Sequence, residues 1–566
     1  MTRWLVVALL ASCTHAARPS GSRHEVDLDY TIALVTRPSR AIEISLAVDS
    51  APGGTTVFDL GEGEWGVEHP EDWVRDLTIS DDRGRPLAVE HPTVTTWTVR
   101  AVGQLELRYR LVPRPATTFD AERHAPFFTE HMIHLLGVNA LIYPAHLADD
   151  KQHRIRLSWA RFREAGWRSA SSFGVQPTAV VNETIDEFRS AVFVASDELR
   201  VVNRLVGSGT LEVALVGAWP FADREIADLI EQVILAERAF FDDPGPPYFF
   251  VALIPAGSEA GTSGDGLTHS FAAFLGPETT LTGEWGLRVR ALFAHEHFHT
   301  WNGQLVTHPP DDADSLTYWV TEGFTDFYTW RLLYRAGMIS LADYVASINE
   351  AVLSYTLSPA RGLPNAQIEA GYWRDRDVEK IPYLRGALIA TALDRELARM
   401  PAHRGVDDVM RRLVVDARAG STITTDTVLA LFESLTSPAF VAPLRSTIVD
   451  GATLAIDRRM FEPCLTATIA VRHRFELGFD ERSWAARRVI GLRSGSAAER
   501  AGLREGQPLT GISVWHDPDR IAEVTVDDHG SRKIEYLPRS TESFDVPTFA
   551  IADAAACRAM FQGPAP

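Results

Sequence analysis

The stretch Ala291-Leu-Phe-Ala-His295-Glu296-His297-Phe298-His299-Thr300-Trp301-Asn302 constrains this chain more than any other. Two histidines four residues apart share one face of an α-helix, one turn above the other, and can hold a single cation through two imidazole nitrogens. Glu296 projects beside them, placed to take a proton from a water that the cation has acidified. His297, between the two, reads as a packed or hydrogen-bonded ring and not as a ligand.

A third ligand follows on the next helical segment. After a spacer of 22 residues, Thr300 to Thr321, comes Tyr318-Trp-Val-Thr-Glu322-Gly-Phe-Thr-Asp326-Phe-Tyr, running to a helix stop near Gly337. Two neutral imidazoles and the Glu322 carboxylate leave Zn2+ with net positive charge and an open position for water. One Zn2+ per chain is expected, although the donor set also suits Co2+ or Mn2+. Asp326, one turn beyond Glu322, is placed to accept the other ring N–H of His295 and fix its tautomer. This layout resembles that of the gluzincin metallopeptidases. In Ile381-Pro-Tyr383-Leu-Arg-Gly386, Tyr383 is expected ahead of a helix and resembles the Tyr-x-x-Gly tyrosine of such enzymes, which donates a hydrogen bond to the oxyanion of the tetrahedral intermediate.

The rest of the chain sorts into a multidomain α+β architecture. Short runs alternating apolar and polar residues, such as Leu105-Glu-Leu-Arg-Tyr-Arg-Leu, with turns at Ala51-Pro-Gly-Gly and Asp82-Arg-Gly-Arg-Pro, predict an N-terminal antiparallel β domain over 26–205. Ile226, Leu229, Ile230, Val233 and Ile234 then recur at helical spacing, an apolar strand follows at 248–254, and helices dominate to about 455. This predicts a mainly helical catalytic domain over 206–455. Residues 456–566 return to short strands with one helical stretch at 497–501.

Together the segments His-Glu-His-Phe-His-Thr-Trp-Asn, Trp-Val-Thr-Glu-Gly-Phe-Thr, Tyr383-Leu-Arg-Gly and Gly405-Val-Asp-Asp-Val-Met-Arg-Arg resemble the glycyl aminopeptidase family of PDZ-containing zinc peptidases, relatives of the aminopeptidase N superfamily. The resemblance implies a thermolysin-like catalytic domain. It also implies a C-terminal PDZ-like domain, in which Glu476-Leu-Gly-Phe479 resembles the loop that binds a peptide C-terminus and 488–506 the following strand, helix and turn. The family's Gly-Gly-Leu-Glu-His element stands here as Asp265-Gly266-Leu267-Thr268-His269, so Gly266, Thr268 and His269 are candidate substrate-binding residues. Thr268 replaces the glutamate expected to meet a substrate's free α-amino group, which leaves aminopeptidase and endopeptidase action both open; Asp265 is the nearest replacement charge. A third reading is a non-catalytic, lipid-anchored peptide-binding protein that keeps the peptidase fold, against which stand the intact Glu296 and Tyr383.

The N-terminus supplies the compartment. Arg3 precedes a short apolar run ending Leu10-Ala-Ser-Cys13, far below the ~20 residues of a spanning helix. It reads as a lipoprotein signal over 1–12 with Cys13 acylated and a linker to residue 25, or as a plain secretion signal. The lipoprotein reading expects an exported bacterial protein held at the cell envelope, on an outer-membrane or periplasmic face. Export permits a disulfide between Cys464 and Cys557. Acidic residues outnumber basic ones 75 to 55, a net charge of −20, which argues against nucleic acid as a partner; peptide or protein substrates are what the family resemblance implies.

Overall fold

The computed structural model describes residues 25–37, 40–112, 123–256, 261–309, 313–400, 405–527 and 530–562, so the leader and Cys13 lie outside the described residues. Among the described residues no helix is long and apolar enough to cross a membrane.

Among the described residues the first domain is built from three sheets. The largest runs Thr178–Glu183, His153–Ala160, Leu28–Val35, Ala41–Asp49, Gln104–Leu111 and Val74–Asp81. Along Gln104–Leu111 the residues at 105, 107, 109 and 111 are buried and their neighbours are not, as the alternating pattern demands. The sheet is not wholly antiparallel: Leu28–Val35 pairs in parallel with His153–Ala160. More than a hundred residues separate these strands, enough for the crossover that a parallel pair requires.

The catalytic domain opens with a five-stranded sheet in the order Arg200–Val206, Gly209–Leu215, Tyr248–Pro255, Ser270–Leu275 and Thr262–Leu267. Its first hairpin spans 200–215, so a boundary between 205 and 206 divides a paired unit. One face of the sheet packs on the helices Asp223–Phe241 and Gly283–Phe298 in the main core. On the other face Ala214, Phe250, Ala272 and Phe274 join Met132, Leu136, Val192 and Val194 of the first domain in one buried cluster. The two domains thus share one buried hydrophobic cluster at their junction.

The C-terminal segment divides differently from the expected 456–566 unit. Strands Leu465–Phe475 and Arg539–Ile551 form a two-stranded ribbon, and Phe461, Phe544, Phe549 and Phe561 are buried in the main catalytic core. At roughly 1.5–3 kcal/mol for each fully buried ring, this binds the ribbon to the catalytic helices. Asn349 of the helix Leu341–Leu357 completes the junction by donating to the Phe549 carbonyl at 2.9 Å and accepting from its amide at 2.7 Å. Cys464 and Cys557 are joined by a disulfide that ties the ribbon's start to the terminal helix Ala554–Gln562, inside that same core.

Between the two ribbon strands a small module, 476–538, has its own core around Leu477, Phe479, Val489, Val524 and Ile534. It holds the three-stranded sheet Leu509–Ser513, Ala522–Asp527 and Ser531–Tyr536. Among the described residues its helices, Ser483–Ala486 and Ala497–Arg500, are only four residues long. The loop at Glu476–Phe479 lies against the start of the second, where a Cβ on Gly478 would meet Ser496 and Ala498. Phe475 and Arg539 pair at the ribbon's end, so both ends of the module leave from one point. Replacing 476–538 by a short turn should shift the thermal midpoint by less than about 4 °C. Loss of the folded state on that excision would show the module to be part of the catalytic core.

Candidate metal centre

The helix Gly283–Phe298 carries His295 and Glu296, and His299 is its C-terminal capping residue, still in α-helical conformation. Glu322 stands at the joint between the helical segments Tyr318–Thr321 and Gly323–Arg335. The three side chains converge: His295 Nε2 lies 3.0 Å from His299 Nε2 and 3.2 Å from Glu322 Oε2, and His299 Nε2 lies 3.4 Å from the same oxygen.

The protons on the far sides of the rings decide what these atoms are. His299 Nδ1 donates to the Asn302 carbonyl at 2.9 Å, because a carbonyl can only accept. His295 Nδ1 donates to Asp326 Oδ1 at 2.9 Å. Both Nε2 atoms then present lone pairs to each other and to a carboxylate, an arrangement that repels unless a cation sits between them. A tetrahedral ion with bonds of 2.0–2.1 Å needs ligands about 3.3 Å apart, which these distances meet. Burial raises the pKa of Glu322, but the two histidines more than reverse it and hold its carboxylate well below the ordinary range. Asp326 thus occupies the place its spacing predicts, and His297 is no ligand. Its Nδ1 meets Glu237 at 2.7 Å in the core, and its ring packs on Phe249 and Trp301.

Asn302 is a site residue whose role spacing alone did not show. Its buried amide donates to the carbonyls of Val320 and Thr321 at 2.9 and 3.1 Å. The residue whose carbonyl orients His299 therefore also clamps the turn that carries Glu322.

Tyr383 lies within the helix Arg376–Arg399, not ahead of it. The helix starts six residues before Pro382, with Asp375 accepting from the Asp377 amide at its N-terminus and Val378 and Ile381 buried. Its ring lies over His295, centroids 5.8 Å apart and 19° from parallel. Gly386 explains the spacing of this element: a Cβ there would run into the Trp319 carbonyl oxygen, and one on Gly323 would meet the Gly386 backbone. Two glycines let the helices of Glu322 and Tyr383 touch backbone to backbone. Burial, and after it the negative charge of Glu322, holds the Tyr383 phenol protonated far above its ordinary range.

The edge strand Thr262–Leu267, which apolar periodicity did not reveal, lies along the histidine helix. A Cβ on Gly264 would fall 2.7 Å from Glu296 Cγ, and one on Gly266 would fall 2.8 Å from His299 Cβ. Gly266 thus belongs to the site. Thr268 and His269 occupy the hairpin turn beyond it and face the first domain: the Thr268 amide donates to the Ser190 carbonyl at 2.8 Å, and His269 Nε2 lies 3.5 Å from Glu183. Asp265 turns the same way, pairing with His124 Nε2 at 2.9 Å. Burial pushes the Asp265 pKa up, but His124 outweighs it and the carboxyl sits below its usual range. Glu296 is buried, and desolvation raises its pKa to about 7 against the opposing charges of His295 and His299.

These features define a gluzincin-type metallopeptidase framework. Residues 288–371 match the family model of the M61 glycyl aminopeptidases, and residues 29–191 match the model of the peptidase M61 N-terminal domain. Over these two segments the chain is similar to the M61 peptidase family. Among solved structures, an aminopeptidase N family protein from Idiomarina loihiensis is similar over 95% of this chain and 100% of that one, with a TM-score of 0.74 and 15% identity. An M1 zinc metallopeptidase from Deinococcus radiodurans is similar over 76% of this chain and 94% of its own, at a TM-score of 0.46 and 16% identity. No curated protein matches the chain.

Asp326→Ala removes the acceptor that fixes the His295 ring. Zn2+ affinity, measured by competition with a chelator, should fall about 10- to 100-fold; an unchanged affinity would show that the tautomer is fixed without Asp326.

Proposed function

We propose that this protein is a zinc metallopeptidase that hydrolyses peptide bonds by water attack, with the aminopeptidase mode favoured. The convergence of His295, His299 and Glu322 lone pairs beside the buried Glu296 carries the reading. Zinc bound by these three residues would acidify a water and polarise the scissile carbonyl. Glu296 accepts the proton of the attacking water and returns it to the leaving amine, a role suited to a carboxyl raised toward neutral pH. Tyr383, protonated and beside His295, donates to the oxyanion. Among the described residues strand Thr262–Leu267 is paired on one side only, and that edge can align an extended substrate backbone.

The aminopeptidase mode is favoured by the match of residues 288–371 to the M61 glycyl aminopeptidase model, and the first domain abuts the catalytic helices. Gly66 packs on the Trp373 ring, Glu68 pairs with Arg374 at 2.9 Å, and His124 lies edge-on between Trp65 and Trp373. The Leu-Ala-Ser-Cys13 leader and the Cys464–Cys557 bridge support a lipid-anchored protein of the cell envelope, since disulfides persist in oxidising compartments.

Glu296→Gln should lower kcat by about 10²- to 10⁴-fold while zinc content is kept; undiminished turnover would remove Glu296 as the base. Specificity is read from a peptide library offered with free and with acetylated N-termini, with and without chelator. Chelator-sensitive removal of single residues from free peptides alone is the expected result. Internal cleavage of acetylated peptides would establish an endopeptidase instead.

A further inference from the structure

Tyr383 does not stand alone. Its hydroxyl lies 3.0 Å from that of Tyr372, and among the described residues neither has another hydrogen-bond partner. Tyr372 ends the short helix Glu369–Tyr372, is 6% exposed, and lies outside every motif of the sequence. Its ring is held between Tyr318, at 4.7 Å between centroids, and Trp373, at 4.9 Å. Tyr318 begins the segment that leads to Glu322, and Trp373 is the residue on which the first domain rests. Packing on both sides thus fixes where the Tyr372 hydroxyl points.

A phenol offers one proton and accepts with its lone pairs. If Tyr383 is to give its proton to an oxyanion, the bond between the two hydroxyls must be donated by Tyr372. A hydroxyl that accepts a hydrogen bond becomes a stronger donor, because successive bonds in a chain polarise one another. It is also held in one rotational position, so its proton does not have to be reoriented when charge develops.

Building on the peptidase reading above, we propose that Tyr372 is a positioning residue for the reaction: it donates to the Tyr383 oxygen and thereby directs and strengthens the Tyr383 hydroxyl as the oxyanion donor. The relay runs Tyr372 O–H to Tyr383 O–H to substrate oxygen, and no covalent bond changes along it.

The test uses the full zinc-loaded protein and the variants Tyr372→Phe, Tyr383→Phe and the double variant. Phenylalanine keeps the ring and its packing, so the thermal midpoint should move little. Tyr372→Phe should lower kcat about 3- to 10-fold, the worth of one neutral hydrogen bond, with KM within about twofold. Binding of a phosphinic Ala-Ala pseudopeptide, a tetrahedral mimic measured by calorimetry, should weaken by the same factor. In the Tyr383→Phe background Tyr372→Phe should cost nothing further in either measurement. Unchanged kcat and mimic affinity would overturn the proposal, as would a loss repeated in full without the Tyr383 hydroxyl. Absence of peptide hydrolysis by the unsubstituted protein would fell the peptidase reading alone, and mimic binding would still decide the relay.

Discussion

Two imidazole lone pairs and a carboxylate meet within 3.4 Å of one another, and the surrounding structure holds them there against their mutual repulsion. The hold is exerted from behind. Asp326 and the Asn302 carbonyl fix the two Nδ1 protons, and the Asn302 amide then clamps the turn that presents Glu322. The bond to the Asp326 carboxylate contributes roughly 1.5–3 kcal/mol and each neutral bond about 0.5–1.5 kcal/mol, together enough to keep these side chains in rotamers they would otherwise leave. The third side of the site depends on sterics: only glycine at 323 and 386 lets the two helices approach closely enough to put Tyr383 over His295.

The parts of the site that a reader of the sequence could find are those where side chains act at helical spacing. His295, His299 and Glu296 share one turn, and Asp326 follows Glu322 by one turn, so their geometry is implicit in their numbers. The edge strand is a different case. Thr-Ser-Gly-Asp-Gly-Leu reads as loop because its contribution is backbone, and its glycines are there to admit Glu296 and His299. Tyr372 leaves no pattern at all, since its place beside Tyr383 arises from a turn and not from a repeat. The Thr268 departure was visible, but its consequence was not. The threonine lies in a hairpin turn against the first domain, where its amide donates to the Ser190 carbonyl.

Near the domain limits, too, distant partners matter. Local composition changes near 206 and 456, yet the strand hairpin at 200–215 and the aromatic residues at 461, 549 and 561 are committed by partners far away in the chain. A core assembled from both ends of a segment cannot be seen by a window moving along it. The inserted module, by contrast, has apolar residues that find one another locally, which is why its strand and helix signals were legible.

The ribbon that carries this module also has a mechanical meaning. A pull on residues 476–538 would enter the catalytic domain at the Phe475–Arg539 pair and tend to unzip the two strands one rung at a time. Such unzipping would meet the Asn349 clamp at Phe549 and, behind it, the covalent staple between Cys464 and Cys557. Force applied at the module is therefore absorbed in the ribbon before it reaches the helices that hold the metal ligands.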